Sequence, residues 1–228
     1  MSGMFKGCKL IKDFSGITDF ITINVKYINS MFENCENLTS LPNINWNTIN
    51  VIDMSCLFKY CKNLNTINIL SKWNTSNAKN VHQMFFLCEK LSSINALKNW
   101  NTINVTDMSG MFNFCRSLSD LSPLQNWNTG NVKDMSSMFS ECKISSLLPL
   151  SKWNTKNVTN MSGMFSEKDP FTSLFGVYLS SSSIIGSIKG LYNMAVEHNT
   201  LTDLSGLENW DTSNVENMSC MFFHCRKI

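Results

Sequence analysis

The sequence has little net charge, and what charge it has is not concentrated anywhere. Its 228 residues hold 19 Lys and Arg against 17 Asp and Glu, a formal net charge of +2, with the basic residues scattered. Nucleic acid and anionic membranes are read by a basic patch or stripe, so neither is an expected partner. No apolar run approaches the ~18–20 residues of a membrane span. The first residues, Met1-Ser2-Gly3-Met4-Phe5, offer no apolar core of a secretory signal. Histidine is scarce, and His82, His198 and His224 fall at unrelated positions of the pattern described below. No Gly-rich phosphate loop, G-x-S-x-G or H-E-x-x-H occurs. Cys220, His224 and Cys225 come nearest to a ligand cluster, but potential ligands without a matching pair do not make a zinc site. The expectation is a protein with no catalytic residues, no cofactor and no metal.

What the sequence does hold is repetition. WNTINVIDMSCLF from Trp46 returns from Trp73, Trp100, Trp127, Trp153 and Trp210 in variants such as WNTINVTDMSGMF. Tryptophans up to Trp153 stand 27, 27, 27 and 26 residues apart. A fixed period in this range predicts a solenoid, whose units are too small to bury an apolar face alone. The slots are Trp, then Val at +5, Met at +8 and +11, Phe at +12 and Cys at +15. Phe20 leads an earlier copy with Val25, Ile28, Met31, Phe32 and Cys35, and a degenerate copy starts at Ser183. Residues 1–228 therefore read as one repeat domain of about eight coils, with an irregular insertion near 168–183. Both ends fall inside a repeat and neither has a cap's polar face, which predicts a piece of a longer array.

Each unit predicts one short helix and one short strand. In Asp107–Cys115 the apolar residues fall at i, i+3, i+4 and i+7, one face of a helix. Asp53, Asn80, Asp107, Asp134, Asn160 and Asn217 stand before it, in the N-cap position. Leu64, Ile67 and Ile69, repeated as Leu91, Ile94 and Ala96, show L-x-x-L-x-L spacing, which predicts a strand stacking in parallel from coil to coil. The Asn before the Val slot, from Asn24 through Asn50, Asn77, Asn104, Asn131 and Asn157 to Asn214, predicts a buried polar ladder satisfying backbone groups. On that reading the sequons at Asn104 and Asn157 are hidden. Seven cysteines share one slot; on helices 8–10 Å apart they could not pair, and they read as buried free thiols.

The unit W-N-T-x-N-V-x-D-M-S-x-M-F-x-x-C-x-x-L closely resembles that of BspA-like leucine-rich-repeat surface proteins, including the lipoprotein-type repeat of mycoplasmas. The resemblance implies an α/β solenoid, a right-handed leucine-rich-repeat-like array with one short parallel strand and one short helix per coil. It also implies display at a cell surface or outside the cell, and adhesion through a protein or cell-surface ligand. The alternative is an intracellular protein-interaction scaffold without export. Side chains alternating with the strand's core positions, Thr66, Asn68, Ser93, Asn95, Asp120 and Ser122, are the expected partner-binding residues.

Overall fold

A computed structural model describes residues 1–167 and 200–228. Successive repeats stack directly on one another. Isolated parallel bridges link Tyr27, Asp53, Asn80, Asp107, Asp134, Asn160 and Asn217 in order. The expected helix and strand are both absent among the described residues, where the regular elements are five short 3-10 turns. The α/β expectation is therefore corrected, and the reason lies in how the backbone N–H groups are spent.

In the segment read as a helix, the N–H groups alternate between two uses. Met31, Glu33 and Cys35 donate to Ile28, Ser30 and Phe32, three residues back, at 3.1–3.2 Å. The intervening Ser30, Phe32 and Asn34 donate instead to Ser55, Leu57 and Lys59 of the next repeat, at 2.7–3.0 Å. A helix keeps every N–H within the segment and a strand sends them across to a neighbour. This ribbon of turns does each in alternation. It requires left-handed backbone at the third residue of a turn, as in a type II turn, and Ser30 and Asn34 have φ of 56° and 61°. Gly110 occupies that position at φ 60°, and a Cβ there would stand 3.0 Å from Gln83 Cγ. The N-cap reading is right in its hydrogen bond and wrong in its element. The side-chain oxygens of Asp53, Asp107 and Asp134 accept from the N–H two residues on, at 2.8–2.9 Å, but open a ribbon of turns.

The segment read as a strand turns tightly too. Buried residues fall every third position, as in Ile67, Leu70 and Trp73 or Leu121, Leu124 and Trp127. That is the 3-10 period, realised in Asn68–Lys72, Asn95–Leu97, Ser122–Leu124 and Leu148–Leu150. The bridges lie at the Asp slot instead, so parallel stacking holds but at another place in the repeat.

The core consists of columns. Phe5, Phe32, Phe58, Phe85, Phe112, Phe139, Phe165 and Phe222 stack ring on ring at 5.6–5.8 Å. The Trp column is buried as expected, and its indoles reach back. Nε1 of Trp100, Trp127 and Trp153 donates to the carbonyl of Leu70, Leu97 and Leu124 in the preceding repeat at 3.0 Å. Trp210 stacks on Trp153 at 6.5 Å and Asn217 bridges Asn160, so these two repeats are neighbours. The degenerate copy from Ser183 and the 168–183 insertion lie outside the described residues. Gly206 (φ 105°) lets this repeat approach closely, since a Cβ would lie 2.5 Å from the Leu147 carbonyl.

The polar ladder is placed differently from expectation. Asn50, Asn77, Asn104, Asn131 and Asn157 are exposed at the rim, each Nδ2 donating to a carbonyl of the preceding repeat at 2.6–2.8 Å. The sequon residues Asn104 and Asn157 are thus at the surface. The buried polar column is threonine: Thr48, Thr75, Thr102 and Thr129 donate to the carbonyls of Asn74, Asn101, Asn128 and Asn154 in the following repeat at 2.9–3.1 Å. A short hydroxyl fits an interior slot beside a backbone carbonyl, whereas the larger amide spans the gap between repeats from outside.

The cysteine column is free, and Cys35, Cys61, Cys88, Cys115 and Cys142 are buried. Each Sγ points at a Phe carbonyl of the preceding repeat, 3.0–3.2 Å away. The expected helix-to-helix separation is not the reason, since parallel-bridged segments lie only ~4.8 Å apart. Burial pushes the Cys35 thiol up to about 11 and raises those of Cys88 and Cys115 as well.

Candidate interaction surface

The expected partner-binding residues come together on the side of the stack formed by the 3-10 turns. Asn68, Ser93, Asn95, Asp120 and Ser122 are exposed and Thr66 is half-buried. The three-residue period buries Ile67, Leu70, Ile94, Leu97, Leu121 and Leu124, and the positions directly flanking the first of each pair, Thr66 and Asn68, Ser93 and Asn95, and Asp120 and Ser122, face outward. Strand alternation is not the cause.

Two of these side chains also hold the local backbone. The Asp120 carboxylate accepts the Ser122 N–H at 2.8 Å, and the Ser93 hydroxyl accepts from Asn95 N–H at 3.5 Å. Asp13 does the same for Ser15 at 2.8 Å, and that N–H, with the Ser15 hydroxyl, holds its carboxyl below the usual range. Such Asx and Ser/Thr turns start the 3-10 segments. Asn68 and Ser122 stand at the outer tips.

Two clefts open along this side. One of about 510 Å³ lies between consecutive turns, lined by Asp120, Ser122, Gln125, Ser145, Ser146 and Leu148. The other, about 230 Å³, is lined by Leu41, Pro42, Asn43, Asn68, Ile69 and Lys72. Lys72 Nζ closes its edge by donating to Asn43 Oδ1 at 2.7 Å. Both linings mix polar and apolar side chains in shallow clefts, a surface suited to contact spread over several repeats rather than to enclosing a small molecule. Among the described residues no group of three His, Cys, Asp or Glu could hold a metal ion, and no helix is long and apolar enough to cross a membrane.

Residues 1–96, 88–184 and 189–228 match the model of a family described as "Mycoplasma protein of unknown function, DUF285". The chain belongs to this family. Its repeats, which stack through the Phe, Trp, Thr and Cys columns, are thus those of a DUF285 protein. Comparison with curated proteins gives no match. Among solved structures the chain is similar to internalin C2 from Listeria monocytogenes, at 16% identity over 88% of this chain and 79% of that one, with a TM-score of 0.18.

A second cluster on the ribbon side, Lys59, Tyr60, Phe86, Leu87, Phe114 and Arg116, escaped the sequence reading. A helix over the M-S-x-M-F segment scatters these residues around its axis, whereas the ribbon brings them together. The signal was available: Gly3, Gly110 and Gly163 recur before the Met-Phe pair, where a helix interior disfavours glycine.

Proposed function

We propose that the protein is a non-enzymatic interaction module, a right-handed solenoid of leucine-rich-repeat and BspA-like kind. It is displayed at a cell surface and binds a protein or surface ligand. The observation that carries this reading is a division within every repeat. The stacked Phe and Trp columns are constant, while the outward positions change from Thr66 to Ser93 to Asp120 and from Asn95 to Ser122. A constant interior with varied outward positions is how repeat arrays separate scaffold from recognition. The face bearing Thr66, Asn68, Ser93, Asn95, Asp120 and Ser122 is the proposed contact surface.

The test is the triple variant Asn68→Arg, Asn95→Arg, Ser122→Arg, whose side chains point outward. The unaltered protein, fused to a proximity-labelling enzyme, should mark a reproducible partner that the variant loses while its melting temperature is unchanged. No reproducible partner, or the same partner marked equally by the variant, overturns the assignment of this face.

The buried free thiols Cys61, Cys88, Cys115 and Cys142 favour a second reading, an intracellular scaffold, because reduced cysteines suit a reducing compartment. Labelling intact cells with a membrane-impermeant biotin reagent separates the two: modification of this protein supports display, and its modification only after lysis supports the scaffold.

A further inference from the structure

In the central repeats the ribbon places large apolar side chains where its backbone is left-handed. Its last left-handed position is Gly7, Asn34, Glu141 or His224 in other repeats, but Tyr60, Leu87 and Phe114 here, at φ of 63°, 60° and 62°. Glycine and asparagine tolerate that conformation, and bulky side chains are strained in it. Strain of this kind persists where the surrounding structure over-determines it, and it clusters at functional sites.

The residues involved form one cluster. Tyr60 and Phe86 meet edge to face at 5.4 Å, and Phe86 and Phe114 at 5.7 Å. The Lys59 ammonium stands 5.3 Å from the Tyr60 ring and 5.2 Å from that of Phe86. The Arg116 guanidinium stands 5.3 Å from the Phe114 ring. Lys59, Tyr60, Phe86 and Leu87 are half-buried, so the cluster keeps a partly open apolar surface.

Charge selects the occupant. The ion pairs among the described residues join Lys6 to Glu33, Lys9 to Glu36 and Arg116 to Glu141. Glu33, in the matching slot of the adjacent repeat, and Glu141 are thus engaged by other cations, while Lys59 Nζ donates to the neutral amide Oε1 of Gln83 at 2.6 Å. Two buried polar atoms without a hydrogen bond, Asn113 Oδ1 and Arg116 Nε, belong to the same corner. Aromatic rings with Arg, near desolvated polar groups, are the composition of interface hot spots.

We propose that this cluster docks a short segment of a protein partner that sets a carboxylate beside Lys59 and an apolar side chain against Phe86 and Leu87. The inference rests on the interaction-module reading and adds a second surface to it, with a defined ligand chemistry.

The probe is a set of synthetic peptides pairing Asp or Glu with Leu or Phe at varied spacing, alongside counterparts carrying Asn or Gln and counterparts carrying Lys. Binding to the whole chain is read by fluorescence polarisation. The acidic members should bind about tenfold more tightly than the amide members, and Lys59→Gln should erase that preference. Tyr60→Asn and Leu87→Asn should abolish binding, with the melting temperature held or raised because Asn suits a positive φ. Equal binding of acidic and amide peptides, preference for basic ones, or binding that survives Leu87→Asn overturns the proposal. So does a concentration-dependent dimer in sedimentation that Leu87→Asn disperses, which assigns the patch to a second copy. Partner labelling that the triple Arg variant loses but Leu87→Asn keeps rejects this surface and leaves the module reading standing. Labelling absent from the unaltered protein rejects the module reading itself.

Discussion

Consider the same substitution, Trp to Phe, made at Trp73 and at Trp100. The two indoles are buried almost equally, at 5% and 7% exposure. Each also stacks on a neighbouring indole, Trp73 on Trp46 at 6.2 Å and Trp100 on Trp127 at 6.4 Å. The loss of ring volume and stacking is therefore matched, about 1–2 kcal/mol at either site. The N–H separates them. Trp100 Nε1 donates to the Leu70 carbonyl at 3.0 Å, whereas Trp73 Nε1 is buried with no partner. The cause is one missing residue. Leu70 precedes Trp73 by three positions, but Ile44 precedes Trp46 by two, so the preceding repeat forms no 3-10 turn and offers no carbonyl in the required place.

Phenylalanine at 100 loses a bond worth about 1 kcal/mol net. The Leu70 carbonyl is not stranded, because it still accepts the Trp73 backbone N–H at 3.2 Å. Phenylalanine at 73 removes a donor whose unsatisfied burial costs about 1–3 kcal/mol. Trp73→Phe should therefore be the milder change by about 2–4 kcal/mol, or roughly 4–16 °C in melting temperature for a chain of this size. Urea unfolding followed by circular dichroism reads the difference, provided the m-value is unchanged between variants. Equal destabilisation, or Trp73→Phe the more damaging, refutes the reasoning.

Thr75→Val and Thr102→Val keep side-chain shape and remove a hydroxyl from the buried column. Thr75 Oγ1 donates to the Asn101 carbonyl and accepts the Asn101 N–H at 2.9 Å, whereas Thr102 Oγ1 donates to the Asn128 carbonyl. Thr75→Val should thus cost about 2–3 kcal/mol and Thr102→Val about 1 kcal/mol in the same urea titration. The thiol column predicts loss of stability in alkali. Burial raises the Cys61, Cys88, Cys115 and Cys142 thiols above their unfolded value, so the native state holds protons that the unfolded chain releases above pH ~8.5. The stabilisation is complete below that pH and falls as pH rises through and beyond it. Melting temperatures across that range should decline less steeply for Cys88→Ser, which cannot ionise there; identical slopes count against the account.

Those predictions draw on columns, and columns are what a repeated sequence declares. Trp46, Phe58, Cys61 and Leu64 are buried because most copies put the same apolar residue in the same slot. That inference needs only the period and the requirement that stacked units bury what they share. Local conformation needed more. The spacing i, i+3, i+4, i+7 fits a helix, but it also fits a chain that turns every second residue and returns its apolar side chains inward. Glycine inside the M-S-G-M-F segment marks the left-handed step that a helix lacks, and Gly110 has φ 60°. The leucines were ambiguous in the same way, since L-x-x-L-x-L contains both a two- and a three-residue interval. Trp73, three beyond Leu70, resolves it for the 3-10 turn.

The Asn and Thr columns show why polar residues were harder to place than apolar ones. Both recur in N-T-x-N, both can satisfy backbone groups, and the pattern alone does not say which lies inside. Size and reach decide it. The Thr102 hydroxyl bonds forward to the Asn128 carbonyl from within the wall, and the Asn104 amide bonds back to the Ser76 carbonyl across the rim. Adjacent repeats are thus fastened in both directions by side chains, along a segment whose backbone bridges are isolated. A stack held this way does not depend on the side chains at the turn tips, such as Asn68 and Ser122. Sequence can change at those positions without cost to the columns, and that freedom is what a recognition surface on this scaffold requires.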